Sequence, residues 1–251
     1  AARADCEVTI LATNMHLSPR YGNTISEIVA DGFADPVRVE MPLSADTDCS
    51  TVEAMAVCMS GMARELSRLR PDLIVILGDR FEMLATATAA LMLRVPIVHI
   101  AGGEISEGAI DDSIRHSITK MASLHLTATE PYRRRVIAMG EAPDRVINTG
   151  AIGVYNILHE PLLTRRELEE SIDFDLTDKS VLVTYHPATL DDEDPAVRCK
   201  ALLDALDRFE DHKVLMTYPN NDPRGRIIID LIEAYAAARP GRVRVVPSLG
   251  K

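Results

Sequence analysis

The sequence predicts an α/β protein with parallel β-sheets, organised as two Rossmann-like domains. Short β-rich runs alternate with helical patterns along the chain, as they do in successive βαβ units. The run LIVILG (73–78) is apolar on both faces, which is typical of a central strand in a parallel sheet. With 251 residues, the chain is long enough for one large domain or two smaller ones.

The elements follow this alternation in order. Strands are predicted over 6–13, 36–42, 71–79, 95–101, 124–129, 145–150, 180–187, 213–219 and 242–247. Helices are predicted near 22–31, 50–69, 81–93, 111–122, 130–139, 164–171, 195–209 and 225–238. Right-handed crossovers between consecutive strands would give parallel sheets.

The pattern loosens after Gly150, where Pro161 and a charged helical piece near 164–171 interrupt the alternation. We therefore predict an N-terminal Rossmann-like domain over 1–158, a linker over 159–174 and an incomplete C-terminal Rossmann-like domain over 175–251.

Composition excludes several classes of protein. The formal net charge of −11 argues against nucleic acid as the main partner, since binding to phosphates requires a basic face. The four cysteines lack the spacing of zinc ligands and are expected to be free thiols in a reducing compartment. We find neither an apolar run of roughly 20 residues nor a signal peptide, so we expect a cytoplasmic protein without a membrane partner.

Four predicted strand ends carry polar side chains, and ligands bind beyond the carboxyl ends of strands in doubly wound sheets. Asp79 and Arg80 follow one strand, and Glu104 follows another after a glycine pair. His16 lies three residues past a third strand, and His186 ends a fourth. Each has an ordinary structural explanation. Asp79 could cap the next helix, His186 could be a packed histidine, and the glycine pair could be only a turn.

The segment GGEISEGAIDDSIRH (102–116) holds the densest cluster of charges. Asp111 and Asp112 open a helix and stand at i, i+4 spacing from Arg115 and His116, so two routine ion pairs would explain them. Because this helix follows strand 95–101, we also expect its first turn to face the same crevice as Glu104 and Asp79. Carboxylates there could divide acid and base roles, and Arg115 beside a helix N-terminus suits a phosphate or another anion.

Motifs of other enzyme classes are missing from the sequence. No GxGxxG follows the first strand and no GxxxxGK[ST] occurs, so a classical dinucleotide site or a Walker-type nucleotide site is not supported. Neither HExxH nor GxSxG is present.

Four segments together resemble the hydrolysing UDP-N-acetylglucosamine 2-epimerases of the bacterial sialic-acid-pathway type. They are ATNMHLSPRYGNT, LGDRFEMLATATAAL, VHIAGGEISEGAIDDSIRHSITKMASLH and VTYHPATL. The resemblance implies a glycosyltransferase-B-like architecture, a UDP-sugar in the cleft between two domains, and a homo-oligomer, dimer or tetramer. It also implies conversion of UDP-N-acetylglucosamine and water to N-acetylmannosamine and UDP, by elimination of UDP and hydration of a glycal-like intermediate. Such chemistry requires no metal and no other cofactor.

The same resemblance implies the site residues. Asp79, Asp111 and His186 match the family's catalytic positions, and Glu104 is a further candidate acid. The candidates for substrate contact are His16, Arg80, Arg115 and Asn220. The matching does not say which carboxylate is the base. Asp112, His116 and Glu107 are interpreted as capping and solvated surface.

The sequence departs from the family pattern at three places. Ala101 stands where some relatives carry an acid. The family's opening βα unit would precede Ala1, and its Gly-Asn-Ser-Ser loop with the next helix would follow Lys251. The resemblance therefore predicts a fragment that is inactive by itself.

Two alternatives remain open. The enzyme could act in the same way on a UDP-2,4-diacetamido-2,4,6-trideoxyhexose of a legionaminic-type pathway. The protein could also bind a sugar nucleotide without turnover, although the joint presence of Asp79, Asp111 and His186 favours an enzyme.

Overall fold

A computed structural model describes residues 6–33, 35–42 and 47–249. Parallel strands alternate with helices along the chain, which confirms the predicted α/β class. The strands are β1 Leu11–Thr13, β2 Val37–Val39, β3 Ile74–Leu77, β4 Ile97–Ile100, β5 Leu124–Thr127, β6 Val146–Asn148, β7 Ser180–Thr184, β8 Lys213–Thr217 and β9 Val243–Val246. The α-helices are α1 Ile25–Ala30, α2 Asp48–Leu69, α3 Phe81–Met92, α4 Asp111–Met121, α5 Glu130–Ala138, α6 Ile152–His159, α7 Arg165–Ile172, α8 Pro195–Leu206 and α9 Gly225–Ala237.

The chain forms two compact units. Unit 1 comprises the described residues of Ala1–Arg38, Leu43–Thr51 and Leu163–Lys251, and unit 2 comprises those of Val39–Pro42 and Val52–Leu162. The boundaries of the two predicted domains stay a prediction. The later part of the predicted linker is nevertheless well packed, since Ile172 and Phe174 are buried in unit 1.

Unit 2 is built on the parallel sheet β3-β4-β5-β6. Helices α3, α4 and α5 pack against its strands. The register places Ile76, His99, His125 and Val146 side by side across this sheet, and all four are buried. Two histidines therefore occupy positions where a packed sheet face normally holds aliphatic side chains.

Unit 1 contains the parallel sheet β7-β8-β9 with hydrophobic side chains on both faces. Val214 and Met216 of β8 point into a core with α8 and α9, whereas Leu215 packs with Phe174 and Val246. This burial on both faces explains the uninterrupted apolar run of β8.

All nine predicted strands are present, and each is shorter than predicted. The predicted ranges included residues of the polar loops that follow the strands, for example Gly78 and Asp79 after β3. Helix α6 was not predicted. Its sequence IGVYNILH is mostly apolar and only two turns long, and all of its residues are exposed, so no clear amphipathic period identified it.

Within the described part of the chain, no helix is both long enough and apolar enough to cross a membrane.

Gly103 is a glycine that the fold requires. Its φ is +82°, and a Cβ atom there would lie 2.5 Å from the carbonyl oxygen of Tyr132. We expect Gly103→Ala to lower the free energy of unfolding by about 2 kcal/mol or more, since both strain and overlap must be relieved. Thermal and urea unfolding measure this change.

Gly153→Ala is the matched control in the same unit, because Gly153 is helical and nothing lies within 4 Å of its added Cβ. It should raise stability by about 0.5 kcal/mol. Equal effects of the two substitutions would contradict the role assigned to Gly103.

Candidate active site

The carboxyl end of β3 presents Asp79. Gly78, with φ +77°, turns the chain directly after the strand, and its N–H donates to the carbonyl of Ile100 at 3.0 Å. Arg80 occupies the N-cap position of α3, so the carboxylate of Asp79 does not cap that helix. It contacts Arg115 instead.

Arg115 lies at the centre of the cluster and is only 2% exposed. Its Nη2 donates to the carboxylate of Asp79 and to Ser106 Oγ, the latter at 2.8 Å. Its Nη1 donates to Glu104 O at 3.0 Å and to Asp112 Oδ1 at 3.2 Å. One guanidinium thus joins the end of β3, the loop after β4 and the first turn of α4.

Asp112 belongs to this network, although the sequence analysis assigned it to the surface. Its Oδ1 also accepts from the backbone N–H of Ser106 at 3.1 Å. Its Oδ2 lies 3.7 Å from His116 Nε2, at the predicted i, i+4 spacing. Arg115 reaches Asp112 at i, i+3 spacing, so a single carboxylate contacts both Arg115 and His116. Asp111, the first residue of α4, is half-buried.

Arg80 and Glu104 are two further predicted residues of unit 2. Arg80 donates from Nε to Glu82 Oε1 at 2.9 Å and lies over the ring of Phe81. The half-buried side chain of Glu104 makes no hydrogen bond or ion pair with any residue that the structure describes, whereas its carbonyl is bound by Arg115. Among the residues that the structure describes, none binds the Glu104 carboxylate, which distinguishes it from the carboxylates of Asp79 and Asp112.

His99 on β4 is a residue that the sequence analysis missed. It is fully buried, and since the Gly78 carbonyl can only accept, His99 Nε2–H donates to it at 2.8 Å. The hydroxyl of Thr119 then donates to Nδ1 at 3.2 Å. Burial lowers the pKa of His99 to about 4, and the Gly78 bond only partly opposes this shift. The sequence signal was a histidine within the apolar strand VPIVHIA.

Unit 1 holds the remaining predicted residues. The backbone N–H of Asn220 donates to His186 Nδ1 at 3.4 Å, which leaves the proton of the neutral ring on Nε2. His186 is exposed, and His16 is exposed as well, with Nδ1 2.8 Å from Thr24 Oγ1. The structure therefore joins His186 and Asn220 directly.

A second pair of side chains in unit 1 was not predicted. Asn221 Nδ2 donates to Asn14 Oδ1 at 2.6 Å, and Asn14 is buried with φ +55°. This bond connects the loop after β1, which carries His16, to the loop after β8, which carries Asn220. The signal available in the sequence was two adjacent asparagines in TYPNND.

Comparison with known proteins gives a consistent result. The family model described as UDP-N-acetylglucosamine 2-epimerase matches residues 1–251. The chain is 35% identical over 246 residues to a GDP/UDP-N,N'-diacetylbacillosamine 2-epimerase (hydrolyzing) of Campylobacter jejuni, a match that covers 98% of this chain and 64% of that protein. It is 33% identical to a UDP-N,N'-diacetylbacillosamine 2-epimerase (hydrolyzing) of Legionella pneumophila, over 92% of this chain and 61% of that protein. The chain thus spans less than two thirds of the length of these relatives.

Solved structures support the fold. A UDP-GlcNAc 2-epimerase of Methanocaldococcus jannaschii, in complex with UDP-GlcNAc and UDP, matches with a TM-score of 0.73 at 17% identity, covering 97% of this chain and 66% of that one. A UDP-GlcNAc 2-epimerase of Neisseria meningitidis bound to UDP-GlcNAc matches with a TM-score of 0.71 at 15% identity, over 97% and 65% of the two chains.

The depressed pKa of His99 predicts a pH dependence of stability. In the unfolded chain His99 has its ordinary pKa of 6.5 and is protonated below that pH. In the folded protein its pKa is about 4, so the ring takes up a proton only near pH 4. The stabilisation is therefore complete above pH 6.5 and is lost as the pH falls towards 4, by up to about 3 kcal/mol at roughly 1.4 kcal/mol per pH unit. Urea unfolding between pH 4 and 7 measures it.

His99→Gln is the comparison variant, because glutamine keeps an N–H donor for Gly78 but does not titrate. The difference in unfolding free energy between the native protein and this variant should change with pH over that window. A difference that stays constant would contradict the assigned cause.

The buried guanidinium predicts a steep dependence of stability on residue 115. Arg115→Met leaves Asp79 and Asp112 without their cation and should cost about 2–4 kcal/mol of unfolding free energy. Arg115→Lys should cost less, since the charge remains but one ammonium cannot serve all four acceptors. Chemical unfolding gives both values.

Arg68→Met is the control in the same unit, since Arg68 pairs with Glu65 on the exposed side of α2. It should change stability little. A loss at Arg115 no larger than the loss at Arg68 would show that the network does not stabilise unit 2.

Proposed function

The chain belongs to the UDP-N-acetylglucosamine 2-epimerase family, and on that basis we propose that the protein is a hydrolysing 2-epimerase of a UDP-linked 2-acetamido sugar. The observation that carries this proposal is the buried Arg115, which holds Asp79 and Asp112 at the carboxyl ends of the strands of unit 2. Charged groups that are already held in place can stabilise charge that develops on the substrate in the transition state.

The reaction has two stages. A base removes the proton from carbon 2 while the bond from the anomeric carbon to oxygen breaks, so that UDP departs with the electron pair and a double bond forms between carbons 1 and 2. Water then adds its hydroxyl to carbon 1, and a proton returns to carbon 2 on the opposite face. The protein must supply a proton acceptor, a proton donor and stabilisation for the departing diphosphate.

The proposed roles follow from the contacts. Asp79, in its ion pair with Arg115, is an anion that suits positive charge developing at the anomeric carbon. Glu104 has no partner among the described residues, and we assign it the proton at carbon 2. His186 keeps an Nε2–H donor because Asn220 occupies Nδ1, so we assign it to an oxygen of the departing diphosphate.

The other five predicted residues also keep proposed roles. Asp111 is proposed as a further catalytic carboxylate, since it lies in the same first turn of α4 as Asp112. Arg80, Arg115 and His16 are proposed to contact the substrate, together with Asn220. The homo-oligomeric state and the cytoplasmic location likewise remain proposals.

The sugar itself has two candidates. We favour UDP-N,N'-diacetylbacillosamine, because the relatives from Campylobacter and Legionella, at 35% and 33% identity, bear that sugar in their names. UDP-N-acetylglucosamine is the second candidate, supported by the family description and by a UDP-N-acetylglucosamine 2-epimerase of Neisseria meningitidis at 26% identity. The two sugars differ at carbons 4 and 6, away from the reacting bond.

The decisive experiment follows the reaction in deuterated water with the full-length protein. Each nucleotide sugar is incubated separately, and NMR records UDP, the free sugar and its configuration at carbon 2. We expect release of UDP together with the 2-epimer, which carries deuterium at carbon 2 because that proton comes from solvent. UDP with an unchanged, undeuterated sugar would indicate simple hydrolysis, and binding without turnover would indicate a binding protein.

Glu104→Gln tests the assigned base and should lower kcat by about 100-fold or more. Glu107→Gln is the matched control, because Glu107 lies exposed in the same loop and was not assigned a role in the site. If the two variants had equal activity, the role of Glu104 would have to be withdrawn.

A further inference from the structure

Two buried histidines stand side by side in the sheet of unit 2, and one of them reaches the loop that carries Asp79. His99 and His125 are register partners on β4 and β5. His99 donates to the Gly78 carbonyl, directly before Asp79. His125 instead has its Nε2 3.2 Å from Glu141 Oε2. The pair differs in what it binds and hardly at all in burial, at 0% and 1% exposed.

Helix α4 holds the Gly78-Asp79 loop at two points. Arg115 and Thr119 are four residues apart and so lie on one face of the helix. Arg115 binds the Asp79 carboxylate directly, and Thr119 binds His99, which binds the carbonyl of Gly78. The peptide between Gly78 and Asp79 is thereby restrained at its carbonyl and Asp79 at its side chain.

This restraint matters because Gly78 has φ +77° and no side chain to limit its backbone. A rotation of its carbonyl would turn the following residue and redirect the carboxylate of Asp79. The Gly78 N–H bond to Ile100 fixes the other side of the residue but not this carbonyl.

We propose that His99 is a positioning residue for Asp79, which fixes the direction of the carboxylate through the Gly78 carbonyl, while the hydroxyl of Thr119 donates to Nδ1 and holds the ring in its orientation. The proposal rests on the proposed function, since Asp79 acts there on the anomeric carbon. The neutral ring needed for this arrangement is the form that burial favours.

The kinetic test compares His99→Leu with His125→Leu in the full-length protein, using whichever nucleotide sugar is turned over. Loss of the Gly78 bond should lower kcat by about tenfold or more in His99→Leu, because small displacements of catalytic groups are costly. KM should change less than kcat, since Asp79 is proposed to act on charge that develops only in the transition state. His125→Leu removes a histidine of equal burial and should keep kcat, so equal kcat values for the two variants would overturn the proposal.

A milder pair covers the case in which His99→Leu does not fold. Thr119→Val removes only the hydroxyl that binds His99 Nδ1 and holds the ring, and it should lower kcat with less effect on KM. Thr119→Ser restores the hydroxyl and should recover most of that loss. A Thr119→Val variant with native kcat would count against the role assigned to the His99 ring in positioning Asp79.

An activity-independent measurement separates this proposal from the proposed function. Nitrogen-15 NMR of the arginine side chains reports whether the Arg115 guanidinium is held still, with Arg115→Lys identifying its signals. His99→Leu should broaden or average these signals because Asp79 is no longer held in place, whereas His125→Leu should leave them unchanged. If no nucleotide sugar is turned over, the proposed function fails, and this comparison alone decides the positioning role. Unaltered Arg115 signals in His99→Leu would overturn it.

Discussion

A buried positive charge is tolerated in a protein only when hydrogen-bond acceptors and negative charge surround it, and Arg115 imposes this requirement on unit 2. Two of its acceptors are carboxylates, one is a hydroxyl and one is the carbonyl of Glu104. The loop after β4 must therefore return its backbone towards α4. Gly103, with its left-handed φ, contributes to the course of that loop. The conformation of the loop after β4 is therefore coupled to the buried charge of Arg115 on α4.

The sequence predicted the β-strands and most of the helices because their periodicity is local. The contacts of the site depended on information that is not local. Asp79 and Arg115 are 36 residues apart in the chain, and only the parallel order of β3 and β4 brings them together. Position after a strand was enough to select Asp79 and Glu104 as candidates, and Arg115 was selected from the charged helix start that follows β4. Sequence position could not show that the Arg115 guanidinium would bind Asp112 as well as Asp79.

His99 and Asn14 were not predicted because their hydrogen-bond partners lie far from them in the sequence. His99 lies in an apolar strand, where a polar side chain is costly unless both ring nitrogens are satisfied. The two partners that satisfy them, Gly78 and Thr119, come from other elements of unit 2. Asn14 is likewise explained by Asn221, which lies 207 residues further along the chain. The sequence shows where polar residues stand, whereas the packing of the folded chain decides which of them form hydrogen bonds with one another.

Unit 2 is nearly continuous in sequence, whereas unit 1 joins distant segments of the chain, and this difference affects folding during synthesis on the ribosome. Unit 2 draws nearly all of its residues from one stretch, Val52–Leu162, so its sheet can form as soon as that stretch has emerged. Unit 1 joins residues near the start of the chain to Leu163–Lys251, so its first segments must wait for the last ones. Domains generally fold as units during translation. The nascent chain should therefore assemble the Arg115 network while the loop that carries His16 still awaits its partner Asn221.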